Sequence, residues 1–166
     1  MAKILLAHPL FLSKSAAESE LSSPYFPLGL LYLAGYVRQR GHEVAIFDGT
    51  FCDDESAFAA ALTAESPDIV GVSALQPTRE TAILLASMAA ESGATVLIGG
   101  PDPTASPEPY LLGPVDLVVH HEGEQTMARL ADLFDQGELT LGRSELGGAS
   151  VTVSLPALTH QAEVTS

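Results

Sequence analysis

Five short apolar runs punctuate the chain: Ile4-Leu5-Leu6-Ala7, Val44-Ala45-Ile46-Phe47, Ile69-Val70-Gly71-Val72, Thr95-Val96-Leu97-Ile98 and Val115-Asp116-Leu117-Val118-Val119. Each is nearly continuous rather than alternating, the pattern of a strand covered on both faces, as in parallel sheets. The segments between them repeat apolar positions at helical spacing. A helix is predicted from about Leu28 to Arg40, with arginines in its last turn and Gly41 as its stop. Asp53 or Asp54 is placed to cap a second, through about Glu65, that buries Ala57, Phe58, Ala61 and Leu62 and ends before Pro67. A third spans about Thr78 to Ser92 around Ala82, Leu85, Ala86 and Ala89, with Gly93 behind it. A fourth, about Glu124 to Gln136, turns Met127, Leu130, Ala131 and Phe134 inward. This alternation is that of an α/β protein with five parallel strands.

The most distinctive residues lie where three of these strands end. Ser73-Ala74-Leu75 follows the third run, Gly99-Gly100-Pro101 the fourth, and His121-Glu122-Gly123-Glu124-Gln125-Thr126 the fifth. Ligands of open parallel sheets sit in the crevice beyond the carboxyl ends of the strands, where loops diverge and helix N-termini point inward. The three segments therefore border one mouth. From Gly137 onward the chain is rich in Gly, Ser, Thr and Leu, and only Val151-Thr152-Val153-Ser154-Leu155 resembles a strand, either a sixth strand or part of a connector. The domain reading is thus an α/β domain over residues 1–137 and a C-terminal extension or connector over 138–166.

Composition narrows the partners. The 166 residues are 46% apolar, enough for one substantial core. Seven basic against twenty-one acidic residues give a net charge of −14, which disfavours nucleic acid and anionic membranes as partners. Most of those carboxylates are read as a solvated face. Cys52 is the single cysteine, so no intrachain disulfide can form. With no secretory leader and no apolar span of membrane length in the sequence, a reducing cytoplasm is the expected compartment. Cys52 itself reads as a small packed side chain rather than a nucleophile or metal ligand.

The histidines do not form a metal motif. Neither HxxxH, HExxH nor a Cys/His pair occurs among the five. His42 reads as a turn residue and His160 belongs to the tail, whereas His8, His120 and His121 face the expected mouth, where hydrogen bonding is favoured over metal ligation. No phosphate loop, GxGxxG after the first strand or GxSxG elbow is present, which removes support from nucleotide hydrolysis, ordinary dinucleotide binding and serine hydrolysis. Asp48 stands where a ribose-binding acid would, but without the glycine fingerprint it serves equally as a capping or loop residue.

Ser73-Ala74-Leu75 followed by Gly99-Gly100 resembles the SxL and GG elements of cobalamin-binding domains. More narrowly, Pro27-Leu28-Gly29-Leu30-Leu31-Tyr32-Leu33-Ala34, Gly41-His42-Glu43-Val44, Asp68 to Ser73, Ile98-Gly99-Gly100-Pro101 and Glu122-Gly123-Glu124-Gln125-Thr126 are similar to the N-terminal domain of cobalamin-dependent radical SAM enzymes. The resemblance covers about residues 2–136. It implies a Rossmann-like (flavodoxin-like) three-layer sandwich with a five-stranded parallel sheet in the order 2-1-3-4-5. It also implies cobalamin as cofactor, with Ser73, Ala74, Leu75, Gly99, Gly100, Pro101, Glu122, Gly123, Glu124 and Thr126 around its nucleotide tail. Gly99 and Gly100 would give clearance for the ligand and permit backbone angles denied to other residues, so valine at either should weaken binding more than folding. Tight strand-to-helix packing is the competing role for these small residues, and helix capping that for residues 122–126.

Two departures bound what the resemblance implies. Methionine-synthase-like and mutase-like domains carry DxHxxG after the first strand, its histidine ligating cobalt, but here the segment is Ala7-His8-Pro9-Leu10-Phe11-Leu12. No protein metal ligand is therefore expected, and His8 is the competitor for that role. A radical SAM catalytic domain also needs CxxxCxxC for its iron–sulfur cluster, and the lone Cys52 supplies none. The chain is expected to carry no such cluster, to perform no radical chemistry alone, and to hold a corrinoid for a radical SAM domain in cis or a protein in trans, in methyl transfer or a radical rearrangement. The alternatives are a small-molecule-binding or protein-interaction module of the same fold that no longer binds cobalamin and, more weakly, a nucleotide-binding enzyme.

Overall fold

The apolar runs become the strands of one sheet. The computed structural model describes residues 1–14, 24, 26–143 and 149–153, with residues 14, 139–143 and 149–153 described by backbone alone. Strands β1 (Lys3–His8), β2 (Glu43–Asp48), β3 (Ile69–Ser73), β4 (Thr95–Gly99) and β5 (Leu117–Val119) pair in parallel in the order β2-β1-β3-β4-β5. Successive side chains enter opposite layers, as strand geometry requires. Leu5, Ala7, Val70, Val72, Val96 and Ile98 pack with α2 (Ser56–Glu65) and α3 (Arg79–Glu91), burying Phe58, Leu62, Leu85 and Ala86. Ile4, Leu6, Ile69 and Leu97 pack on the other face with α1 (Leu28–Arg38) and α6 (Glu124–Asp135), burying Leu30, Ala34, Val37, Met127, Ala128 and Ala131. The result is a Rossmann-like, flavodoxin-like three-layer sandwich, as the sequence predicts. Among the described residues, no helix is long and apolar enough to cross a membrane.

The element ends have local causes. Helix α1 stops at Arg38, two residues before the sequence expectation, and Gly41 (φ +88°) completes the turn into β2. Of the two aspartates proposed as the cap of α2, Asp54 does the work: its Oδ1 accepts the Ser56 N–H at 2.8 Å. Strand β5 is shorter than the apolar run because the Asp116 carboxylate accepts the Val96 N–H at 2.8 Å, so the ladder begins at Leu117. The connection from β4 to β5 holds two short helices that the sequence reading omits, α4 (Pro101–Ala105) and α5 (Glu108–Leu111), in a stretch whose prolines prevent a longer helix. After α6, β6 (Leu139–Arg143) and β7 (Ala149–Val153) form a separate antiparallel pair, so the apolar run near Val151 is not a sixth strand of the main sheet. Leu155 and His160 lie outside the described residues.

A charged clasp fixes the β4–β5 connection against α3. The Arg79 guanidinium donates to both Asp102 oxygens, Nε to Oδ2 at 2.7 Å and Nη2 to Oδ1 at 2.6 Å, and the buried Tyr110 hydroxyl donates to Asp102 Oδ2. The guanidinium and the phenol together hold the Asp102 carboxyl below the usual range, against the opposing effect of burial. Burial first, and then the hydrogen bond to Asp102, push the Tyr110 hydroxyl up to about 12. Asp102 thus stabilises the fold above the ordinary aspartate range, and this contribution disappears as pH falls through its lowered value. Tyr110→Phe should lower stability by about 2 kcal/mol, the worth of a buried hydrogen bond to a charged acceptor, measured by urea unfolding at pH 7. An unchanged midpoint would show that the Tyr110 hydroxyl adds nothing to the clasp.

Candidate functional site

One cavity occupies the carboxyl end of the sheet on the α1/α6 face. Its volume is about 290 Å³, near the lower end for small-molecule sites. Its floor follows from strand register: Leu6 of β1 lies beside Gly71 of β3, and Gly71 beside Leu97 of β4. The middle member of this row has no side chain, and the tips of Met127 and Leu6 fill the space above it. A β-carbon at Gly71 would stand 2.8 Å from Met127 Cε and 2.9 Å from Leu6 Cδ2. Pro27, Leu28, Gly29, Leu30 and Leu33 form the α1 wall, and Gly123, Glu124 and Met127 the α6 wall. Both helices begin at the cavity, and neither N-cap residue, Pro27 or Gly123, closes its first turn with a side chain.

Seven of the residues read from the sequence as cofactor-binding line this cavity: Ser73, Leu75, Gly99, Gly100, Glu122, Gly123 and Glu124. Ala74, Pro101 and Thr126 stand outside the lining. Ala74 is fully buried in the core of the opposite face, while Pro101 and Thr126 are exposed in the first turns of α4 and α6. Ala74 supports the site from behind: its N–H donates to the Gly99 carbonyl at 2.8 Å, and its own carbonyl accepts the Asp102 N–H at 3.3 Å.

The two glycines expected to share a role differ. Gly100 has φ +111° and ψ −178°, a conformation that suits glycine alone, and a β-carbon there would lie 2.6 Å from the Ala74 carbonyl oxygen. Its missing side chain serves a backbone crossing at a positive φ, the second of the two roles expected of it, and Gly100 also lines the cavity. At Gly99 there is room for a β-carbon, which would meet nothing nearer than the Val119 carbonyl oxygen at 3.5 Å.

The remaining candidates separate by position. His8 ends β1 beside Asp48 and lines the cavity at 4% exposure. Burial lowers its basicity, which the nearby Asp48 carboxylate partly restores. Asp48 closes its own loop instead of facing the cavity, its Oδ1 accepting the Thr50 N–H at 3.0 Å and the Thr50 hydroxyl at 2.6 Å. Cys52 packs behind that loop, its thiol pushed up by burial and then by Asp48 and Asp53. His42 is buried at the far end of the sheet, where Nδ1 accepts the Ala2 N–H at 3.3 Å and Nε2 lies 3.1 Å from Asp132 Oδ1. His120 is exposed and outside the lining, whereas His121 is part of it. Among the described residues, no group of three or more His, Cys, Asp or Glu side chains is arranged to hold a metal ion.

A doubly covered parallel sheet with a deep, mostly aliphatic slot at its carboxyl edge defines a small-molecule-binding α/β domain. The B12 binding domain family matches residues 17–131, and the chain belongs to that family. It is 35% identical over 144 residues to an uncharacterized methyltransferase of Pyrococcus horikoshii, a match covering 81% of this chain and 30% of that protein. It is 30% identical over 152 residues to the anaerobic magnesium-protoporphyrin IX monomethyl ester cyclase of Rubrivivax gelatinosus, covering 88% of this chain and 27% of that one. The chain therefore spans less than a third of either relative. The cobalamin-dependent S-adenosylmethionine radical enzyme OxsB with aqua-cobalamin bound shares the fold, with a TM-score of 0.69 at 19% identity over 95% of this chain and 23% of that one.

The lining is chemically compatible with the planar, apolar base that ends a cobalamin nucleotide tail: its walls are largely aliphatic, and Ser73 among them carries a hydroxyl donor and acceptor.

The glycine contrast is testable. Gly99→Val should keep a thermal midpoint close to that of the unmodified chain while weakening cobalamin binding at least tenfold. Gly100→Val should instead destabilise the fold by roughly 3 kcal/mol, from left-handed strain together with the Ala74 contact. Matched melts and titrations decide this, and equal affinity in a folded Gly99→Val variant would remove Gly99 from the binding surface.

Proposed function

We propose that this chain is a cobalamin-holding module serving a radical SAM catalytic domain, in cis or on a partner protein. The observation that carries the reading is the mostly aliphatic slot at the strand ends, lined by Ser73, Leu75, Gly99, Glu122 and Glu124, in a chain of the B12 binding domain family. Ser73, Leu75, Gly99, Glu122, Gly123 and Glu124 would contact the nucleotide tail. Gly100, Ala74 and Pro101 hold the loops that shape the opening, and Thr126 sits in the first turn of the wall helix α6. When bound, the corrinoid supplies cobalt-centred methyl-transfer or radical chemistry. The chain's own task is to bind, orient and shield, and none of its cavity side chains is offered as a general acid, base or nucleophile.

The catalytic partner is inferred from size and surface. The methyltransferase and cyclase relatives are more than three times as long as the segment they share with this chain. Beside the cavity, Phe26, Leu28, Leu31 and Tyr32 are exposed around the first turns of α1, an apolar rim suited to being covered by another domain. A cluster held by three cysteines would belong to that domain, since this chain has only Cys52. We place the module in a reducing cytoplasm and assign it neither nucleic acid nor membrane as partner.

The lower face of cobalt is proposed to be free of protein nitrogen, because β1 ends in His8-Pro9-Leu10 rather than in a DxHxxG loop. Equilibrium dialysis with hydroxocobalamin, methylcobalamin and adenosylcobalamin should show retention at micromolar concentrations. Electron paramagnetic resonance of the bound cobalt(II) form should then lack axial nitrogen splitting. No retention of any form well above micromolar would end the cobalamin reading, and nitrogen splitting that vanishes in His8→Ala would make His8 the ligand.

A further inference from the structure

His121 is the unexplained residue at the cavity. Among the described residues only Ser66 and His121 are non-glycine positions with positive φ, and His121 (φ +58°) is the one that lines the slot. A β-carbon in this region is disfavoured by contact with the backbone, and strain of this kind persists where the surroundings enforce it, often at binding sites. Here the enforcement is visible: the His121 N–H donates to Thr104 Oγ1 at 3.3 Å, tying the β5–α6 loop to α4. The loop turns back at this residue and sets the imidazole on the rim, two positions before Gly123, the N-cap residue of the wall helix.

The chemistry of the lining gives the ring a task. Among the described residues no lysine or arginine lines the cavity, and the charged side chains that do are Glu122 and Glu124, which can only accept when ionised. The side-chain donors are Ser73, His8 and His121, and His8 lies in the buried wall. An imidazole carries a donor N–H in either neutral tautomer as well as when protonated. A cobalamin nucleotide tail bears one phosphodiester anion between its apolar base and the corrin, so a tail seated in the slot brings an anion toward a rim where, among the described residues, His121 is the exposed side-chain donor of the lining.

We propose that His121 is a binding residue for the phosphodiester of the corrinoid nucleotide tail, an inference that rests on the cobalamin reading above. Glycine removes the ring and also relieves the left-handed strain, so the two effects separate in sign. His121→Gly should melt at or above the temperature of the unmodified chain yet bind cobalamin about tenfold more weakly, the loss typical of a hydrogen bond to a charged group. The single phosphorus of bound cobalamin should show a shifted ³¹P resonance in that variant. His121→Asn, which tolerates the left-handed backbone and keeps an N–H donor, should recover part of the affinity. Unchanged affinity in the glycine variant, or lost affinity with an unmoved ³¹P resonance, would overturn the assignment while leaving the cobalamin reading intact. If the unmodified chain retains no cobalamin, the parent reading fails and this inference with it.

Discussion

The open end of the sheet depends on a backbone crossing in which Gly100 passes the Ala74 carbonyl too closely for any β-carbon. That contact locks the loop after β3 to the loop after β4, and the Ala74–Gly99 and Asp102–Ala74 hydrogen bonds continue it. Asp102 then carries the restraint onward, because its carboxylate is held by Arg79 at the start of α3 and by Tyr110 of α5. The α2/α3 side of the molecule is thereby closed and packed. On the other side the first turns of α1 and α6 border the cavity at the carboxyl end of the sheet.

This division of labour explains why neighbouring residues serve different ends. Ser73, Leu75 and Gly99 line the slot, while Ala74 and Gly100 make the crossing that places them. The same logic reaches the loop before α6: His121 adopts a strained backbone held by Thr104, and the residues after it form the wall. A slot with an aliphatic body and a few polar groups at the rim suits a ligand that is apolar at its tip and charged further out.

Much of this was legible before the structure. Continuous apolar runs identify doubly covered parallel strands, and all five strands lie where the runs fall. The strand-end segments are legible for the same reason, since the carboxyl edge of such a sheet is where loops can build a site. The α1 wall was harder to see: Pro27, Leu28 and Leu33 read as the start of a helix, and nothing in their spacing says that this first turn faces a slot. Gly71 carried a signal, as a glycine within an otherwise bulky strand marks a close approach. The distinct roles of Gly99 and Gly100 were not legible, because backbone dihedrals and the proximity of Ala74 arise from loop geometry rather than composition. The short helices α4 and α5 escaped for a related reason: proline-rich segments read as loops although proline is well suited to a helix's first turn.

The central claim is that the slot between the first turns of α1 and α6 receives the nucleotide base. A crystal structure of the chain grown with hydroxocobalamin measures this directly. The account predicts the dimethylbenzimidazole ring in van der Waals contact with Gly71 and Met127, detached from cobalt, with the corrin outside the strand ends. A base still coordinated to cobalt, with Leu6, Gly71 and Leu97 untouched by ligand, would contradict it.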